Sequence, residues 1–202
     1  MLEKTLEEEK ITQQISPEFG KKVAMIIAFR DFRDAEYFVP KEILEKGGAK
    51  VTTVSTKVGT AIGADGGDTT AELLLENLNP VEFDGIVFIG GPGCLKYLDN
   101  ESSYRIAKET VEKNKVLGSI CIAPVILSKA GVLSGKRATV WSSAMDRGPV
   151  KILKENGAIY EDKDVVIDGK IITANGPGAA REFGEKLVEG LTPAPNRDFR
   201  RA

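Results

Sequence analysis

Apolar residues along the chain gather into short continuous runs, separated by charged or glycine-rich segments, in place of long one-sided stripes. The run VAMIIAF, residues 23–29, follows two lysines, has strand length and shows no polar alternation, which is the pattern of a strand covered on both faces. The period then changes. DAEYFVPKEILEKGG opens on Asp34, carries acids early and lysines late, and closes on two glycines, so it predicts a helix ending at Gly47 or Gly48. Pro40 inside it predicts a kink or a second helix start. The β-branched VTTVST (residues 51–56) predicts another strand, and GIVFIGG (residues 85–91) an apolar strand running into glycines. Between these two, a polar hairpin or loop is expected, followed by a short helix at residues 71–78.

Further along, residues 101–114 read as helix, 116–121 as strand and 124–130 as helix. The last third is mixed: a strand in RATVWSS from Arg137, a helix over residues 148–156, and VVIDGKIITA as a hairpin turning at Asp168-Gly169. A final helix follows GPG. Strands alternating with helices imply parallel βαβ crossovers. The fold class is therefore doubly wound α/β with an added β-hairpin, in which ligands bind beyond the carboxyl ends of the strands.

At 202 residues the chain has the length of one domain. Residues 1–20 read as a polar extension, 21–191 as the domain and 192–202 as a basic tail. The extension lacks the apolar core of an export signal, so a cytoplasmic protein is expected. Lysine and arginine total 28 against 30 aspartates and glutamates, so no strong field draws the protein to nucleic acid or a membrane. A small-molecule partner fits better. Two cysteines, Cys94 and Cys121, and no histidine exclude a disulfide framework, make a poor metal set and remove any Cys-His or Ser-His mechanism.

Those constraints focus attention on GSICIAPVILSKAG, residues 118–131. Cys121 falls where a strand ends and a helix begins, the position of a nucleophile elbow. There the first helix amides, chiefly that of Ile122, are expected to favour thiolate and to lower the thiol pKa. The bulky Ile120 and Ile122 depart from the small residues that usually flank such a nucleophile. From these residues alone, Cys121 is equally readable as a buried small hydrophobe. Arg30 and Arg33 are readable as steering groups for anionic substrates or as a solvated loop, and Ser142, Ser143 and Asp146 as pocket lining by position. The NGPG stretch is an anion-binding helix start or a tight turn.

The run GSICIAPVILSKAGVLSGKRAT, with DAEYFVP, GIVFIGGPG and DGKIITANGPGAAREFG in that order around it, resembles the ThiJ/PfpI superfamily over residues 23–191. The resemblance implies a flavodoxin-like three-layer α/β/α sandwich with a mostly parallel sheet, assembled as a homodimer or higher homo-oligomer. It implies that Cys121 is the reactive thiol, that Glu36 is its hydrogen-bonding acid-base partner, and that the amides of Gly91 and Ile122 form an oxyanion or sulfinate site. Gly90 and Trp141 are then expected as pocket lining. A carboxylate beside a thiol raises the thiol pKa, so Glu36 makes sense chiefly as a protonated donor to sulfur.

The departures from the family pattern narrow the chemistry. Ile122 stands where the protease-like branch has histidine, and Trp141 or its neighbours where the deglycase branch commonly has one. The resemblance then implies a cofactor-independent and metal-independent enzyme acting on small reactive carbonyls, glyoxalase-like or deglycase-like and slowed by the missing histidine. An oxidisable stress-sensing cysteine is the alternative, with Cys94 readable as a resolving thiol or as a small packing residue. A cysteine peptidase ranks third, because no side chain could protonate the leaving amine.

Overall fold

The structure, a computed structural model, describes residues 20–192, so nearly all of the expected N-terminal extension and basic tail lies outside the described residues. Strand β1 (Lys22–Ile26) leads through β2 (Arg30–Phe32) into helix α1 (Asp34–Lys46), followed by β3 (Lys50–Ser55), β4 (Gly59–Gly63), β5 (Asp68–Ala71), β6 (Leu73–Leu74) and β7 (Gly85–Phe88). Helices α2 (Cys94–Leu98) and α3 (Glu101–Glu112) precede β8 (Val116–Ile120), α4 (Pro124–Lys129), β9 (Arg137–Ala138) and α5 (Gly148–Glu155). Strands β10 (Ile159–Tyr160), β11 (Val165–Asp168) and β12 (Ile171–Ala174) come before the last helix, α6 (Ala180–Leu191). The main sheet has the order β11-β12-β8-β7-β1-β3-β6 and is parallel except for the antiparallel hairpin β11/β12. This is the expected three-layer α/β/α arrangement.

The continuous apolar runs follow from coverage on both faces. Along β1, Val23 and Met25 enter one core, with α1 and α6, while Ala24 and Ile26 enter the other, with α3, α4 and α5, as the two-residue period of a strand requires. Close approach is bought with small residues: a Cβ at Gly118 on β8 would stand 2.7 Å from Leu187 of α6, and one at Gly184 of α6 would stand 3.0 Å from the Pro40 Cα of α1.

Three expectations are corrected. No helix forms over residues 71–78: Asp68–Ala71 pairs antiparallel with β4, Leu73 and Leu74 add to the sheet edge beside β3, and only a 3-10 turn, Leu75–Asn77, follows. The strand pairing of Ala71, Leu73 and Leu74, with burial of Ala71, Leu75 and Leu78, outweighs the helix propensity of AELLLENL. Helix α1 runs through Pro40 with no second start. The ladder of β1 ends at Ile26 and that of β9, which pairs with β10 in a separate two-stranded sheet, at Ala138, both short of the predicted strands. Among the described residues no helix is long and apolar enough to cross a membrane, and no cluster of three or more His, Cys, Asp or Glu could hold a metal ion.

Candidate active site

Cys121 directly follows β8, in the left-handed conformation at φ 63°. A side chain at positive φ is uncommon and strained, and the surrounding main chain imposes it. The Cys121 amide donates to the Ala174 carbonyl at 2.9 Å, and the Cys121 carbonyl accepts from the Trp141 amide at 2.8 Å. The ends of β8 and β12 and the segment after β9 thus fix the turn before α4 begins.

Glu36 sits in the first turn of α1 and is 0% exposed. Neither carboxyl oxygen has a hydrogen bond of regular geometry, and the polar groups it faces are the Cys121 thiol and the Gly90 backbone. Gly90 makes this meeting possible: a Cβ there would lie 2.6 Å from the Cys121 Cβ and 2.7 Å from Glu36 Oε2. Gly91, at φ 113°, brings its turn equally close to the junction of β2 and α1, where a Cβ would stand 2.4 Å from the Arg33 nitrogen. Two hydrogen bonds lock that contact, from the Arg33 amide to the Gly90 carbonyl at 3.1 Å and from the Gly93 amide to the Asp31 carbonyl at 3.0 Å.

Burial raises Glu36 to about 7, against the lowering effects of Cys121, Arg33 and Gly90. For Cys121, burial first and the Glu36 carboxyl second push the thiol up to about 12, while the backbones of Gly91 and Ile122, which face the sulfur, pull it down. The expected lowering by helix amides is therefore corrected. Helix α4 has only six residues, and its amides are outweighed by a buried environment containing a second acid. Above neutrality the pair holds one proton between a carboxylate and a thiol, so a group able to take a proton stands in contact with the sulfur.

This proton also couples the site to stability. Because the folded state raises Glu36 from 4.5 to about 7, its contribution to stability is fully present below about pH 4.5 and is lost as pH rises through about 7, a change of about 3 kcal/mol. Glu36→Gln is expected to remove that pH dependence, leaving the variant more stable than the wild type in mildly alkaline buffer. Urea unfolding of both proteins at acidic and alkaline pH checks this, and parallel curves would contradict it.

The cleft above the thiol has a volume of about 320 Å³ and is lined by Arg33, Gly91, Pro92, Leu95, Cys121, Ile122 and Trp141. Of the expected residues, Cys121, Gly91, Ile122 and Trp141 line it. Glu36 and Gly90 lie beneath, so Gly90 is a spacer and not a wall. Ser142, Ser143 and Asp146 do not line it: the Asp146 amide donates to Ser143 Oγ at 3.0 Å, and Oδ1 of Asp146 accepts from the Gly148 amide that opens α5. Cys94 is unpaired and fully buried at the start of α2, as a packing residue. Asn175–Gly178 forms a turn leading through a 3-10 segment into α6. Pro92 and Leu95 went unnoticed in the sequence, where only their nearness to IGGPG could have flagged them. A larger cleft of about 430 Å³, beside Thr56, Leu75 and Asn100, contains no cysteine.

The sequence profile of the DJ-1/PfpI family matches residues 21–190. The uncharacterized protein MJ0967 of Methanocaldococcus jannaschii is 43% identical over 84% of this chain and 82% of its own. A protein of Pyrococcus abyssi named deglycase PYRAB04690 is 33% identical, over 83% of this chain and 98% of its own. The glutathione-independent glyoxalase DJR-1.2 of Caenorhabditis elegans is 29% identical over 85% and 89%, respectively. Among solved structures, a ThiJ/PfpI domain protein from Brachyspira murdochii superposes with a TM-score of 0.78 at 32% identity, covering 84% of this chain and 95% of that one.

Proposed function

The chain belongs to the DJ-1/PfpI family, and from that membership we propose that it is a cysteine-dependent, cofactor-independent enzyme acting on small reactive carbonyls, of the glyoxalase or deglycase type. The observation that carries this reading is the buried contact between Glu36 and Cys121 at the floor of an open cleft. Relatives named deglycase and glyoxalase support the same class.

In this reading the sulfur bonds to an aldehyde carbon as the carbonyl π pair moves to oxygen, beside the amides of Gly91 and Ile122. The thiol proton passes to Glu36 and on to that oxygen, giving a hemithioacetal. With an α-oxoaldehyde, Glu36 then takes the proton from the former aldehyde carbon and returns one to its neighbour, while the hydroxyl proton passes to the ketone oxygen, which leaves a thioester. Water cleaves it to a 2-hydroxy acid and regenerates the thiol. No oxidant enters the balance. A single carboxyl group does all the proton transfer, so turnover is expected to be slow.

The thiol's raised pKa weighs against the stress-sensing alternative, since a readily oxidised cysteine is a low-pKa thiolate, and this one is pushed up to about 12. The chain has no histidine to protonate a leaving amine, which weighs against peptide hydrolysis. The test is incubation with methylglyoxal in the absence of glutathione. Lactate should form faster than in protein-free buffer, and its absence on both sides of neutrality would remove the α-oxoaldehyde reading.

A further inference from the structure

Among the described residues, Arg33 is the one charged side chain in the wall of the cleft, beside Pro92, Leu95, Ile122 and Trp141. Its Nη1 donates to Asp65 Oδ1 at 2.9 Å, and among the described residues its other guanidinium nitrogens have no protein acceptor. Asp65 is itself held in place: Asp34, at the start of α1, accepts from the Asp65 amide at 2.8 Å and from the Gly67 amide at 2.6 Å. The guanidinium is therefore oriented by one edge and open along another, which is how a planar fork is prepared for an oxygen anion. Its charge also acts on Glu36, so it stands on the reactive side of the cleft.

Resting on the carbonyl reading above, we propose that Arg33 selects aldehydes that carry a carboxylate, receiving the anion on its open edge while Cys121 adds to the aldehyde carbon. The side chains of Pro92, Leu95, Ile122 and Trp141 offer such an anion no competing charge, and the amides of Gly91 and Ile122 lie beside the oxygen of the former carbonyl. The solvated Asp65, whose side chain is 53% exposed, neutralises the guanidinium only in part. The addition is the one already described: a sulfur–carbon bond forms, the carbonyl π bond breaks, and the thiol proton moves through Glu36 to oxygen. The carboxylate is untouched.

Trp141 is the chain's single tryptophan and lines the cleft, so its fluorescence reports occupancy without any turnover. The probes are glyoxylate, an aldehyde joined to a carboxylate, and glycolaldehyde, neutral and of the same length, with mass spectrometry confirming the adduct at Cys121. Arg33→Gln should weaken glyoxylate at least about tenfold more than glycolaldehyde, the range of a charge-assisted hydrogen bond, and Arg33→Lys should recover part of the difference. The ratio within each variant cancels the two aldehydes' different tendencies to hydrate. Equal weakening of both, or adduct formation with glycolaldehyde alone, would overturn the selection of anions and leave the carbonyl reading standing. No adduct with either aldehyde would remove both.

Discussion

Cys121→Ala is expected to bring lactate formation from methylglyoxal down to the protein-free rate, a loss on the order of a thousandfold or more, with the fold intact. The loss should be this large because every later step in the scheme takes place on a molecule bonded to Sγ. The fold should survive because main-chain bonds to Ala174 and Trp141 hold the turn, and alanine inherits the same positive φ without adding bulk. Removing the sulfur should lower stability by roughly 1 kcal/mol. Cys121→Ser should fail equally, since a hydroxyl ionises less readily than a thiol beside the same carboxyl. Thermal unfolding and lactate assays on both variants check the prediction. Retention of a tenth of the wild-type rate in either would place the nucleophile elsewhere.

Glu36→Gln should separate two properties that a purely structural residue would change together. Turnover is expected to fall about 10²- to 10⁴-fold, the range for a positioned acid-base group. In the wild type, kcat/KM should rise as pH passes about 7, where Glu36 becomes the carboxylate that takes the thiol proton, and this rise should vanish in the variant. Alkylation of Cys121 by iodoacetamide should move the other way. Glutamine carries no negative charge to oppose the thiolate, so the thiol pKa falls from about 12 and the reaction at mildly alkaline pH speeds up. Measuring alkylation and lactate formation side by side across pH is decisive. If both rates drop, Glu36 supports the turn and does no chemistry.

What the sequence disclosed depended on how local the determining physics was. Strand β1 and the β11/β12 hairpin were legible because an unbroken apolar run and a turn glycine are written in adjacent residues, although the hairpin turns at Gly169-Lys170, one residue beyond the expected Asp168-Gly169, since Asp168 pairs with Ile171. The segment 71–78 was not, because its strand pairing is decided by Gly59–Gly63 and Lys50–Ser55, whereas its own leucines and glutamates favour a helix. The same division runs through the site. The position of Cys121 at a strand end could be read directly, and Glu36 only through the order of four motifs. Local residues pointed to a lowered thiol pKa; its rise comes first from burial, which they do not disclose, and then from a carboxyl group on a different element, readable only once Glu36 was matched. Arg33 looked like one charge in a charged loop, since what aims it is Asp65, 32 residues further along.

The left-handed backbone at Cys121 also bears on descent. Glycine and asparagine enter that conformation more readily than cysteine does, so a lineage could exchange the thiol for either without disturbing the turn. The cleft, the guanidinium in its wall and the aromatic ring that lines it would pass on unchanged. On the proposed carbonyl reading, such a descendant would inherit a receptor for the same molecules without the means to convert them, and a gene duplicate could take up sensing or transport of that ligand.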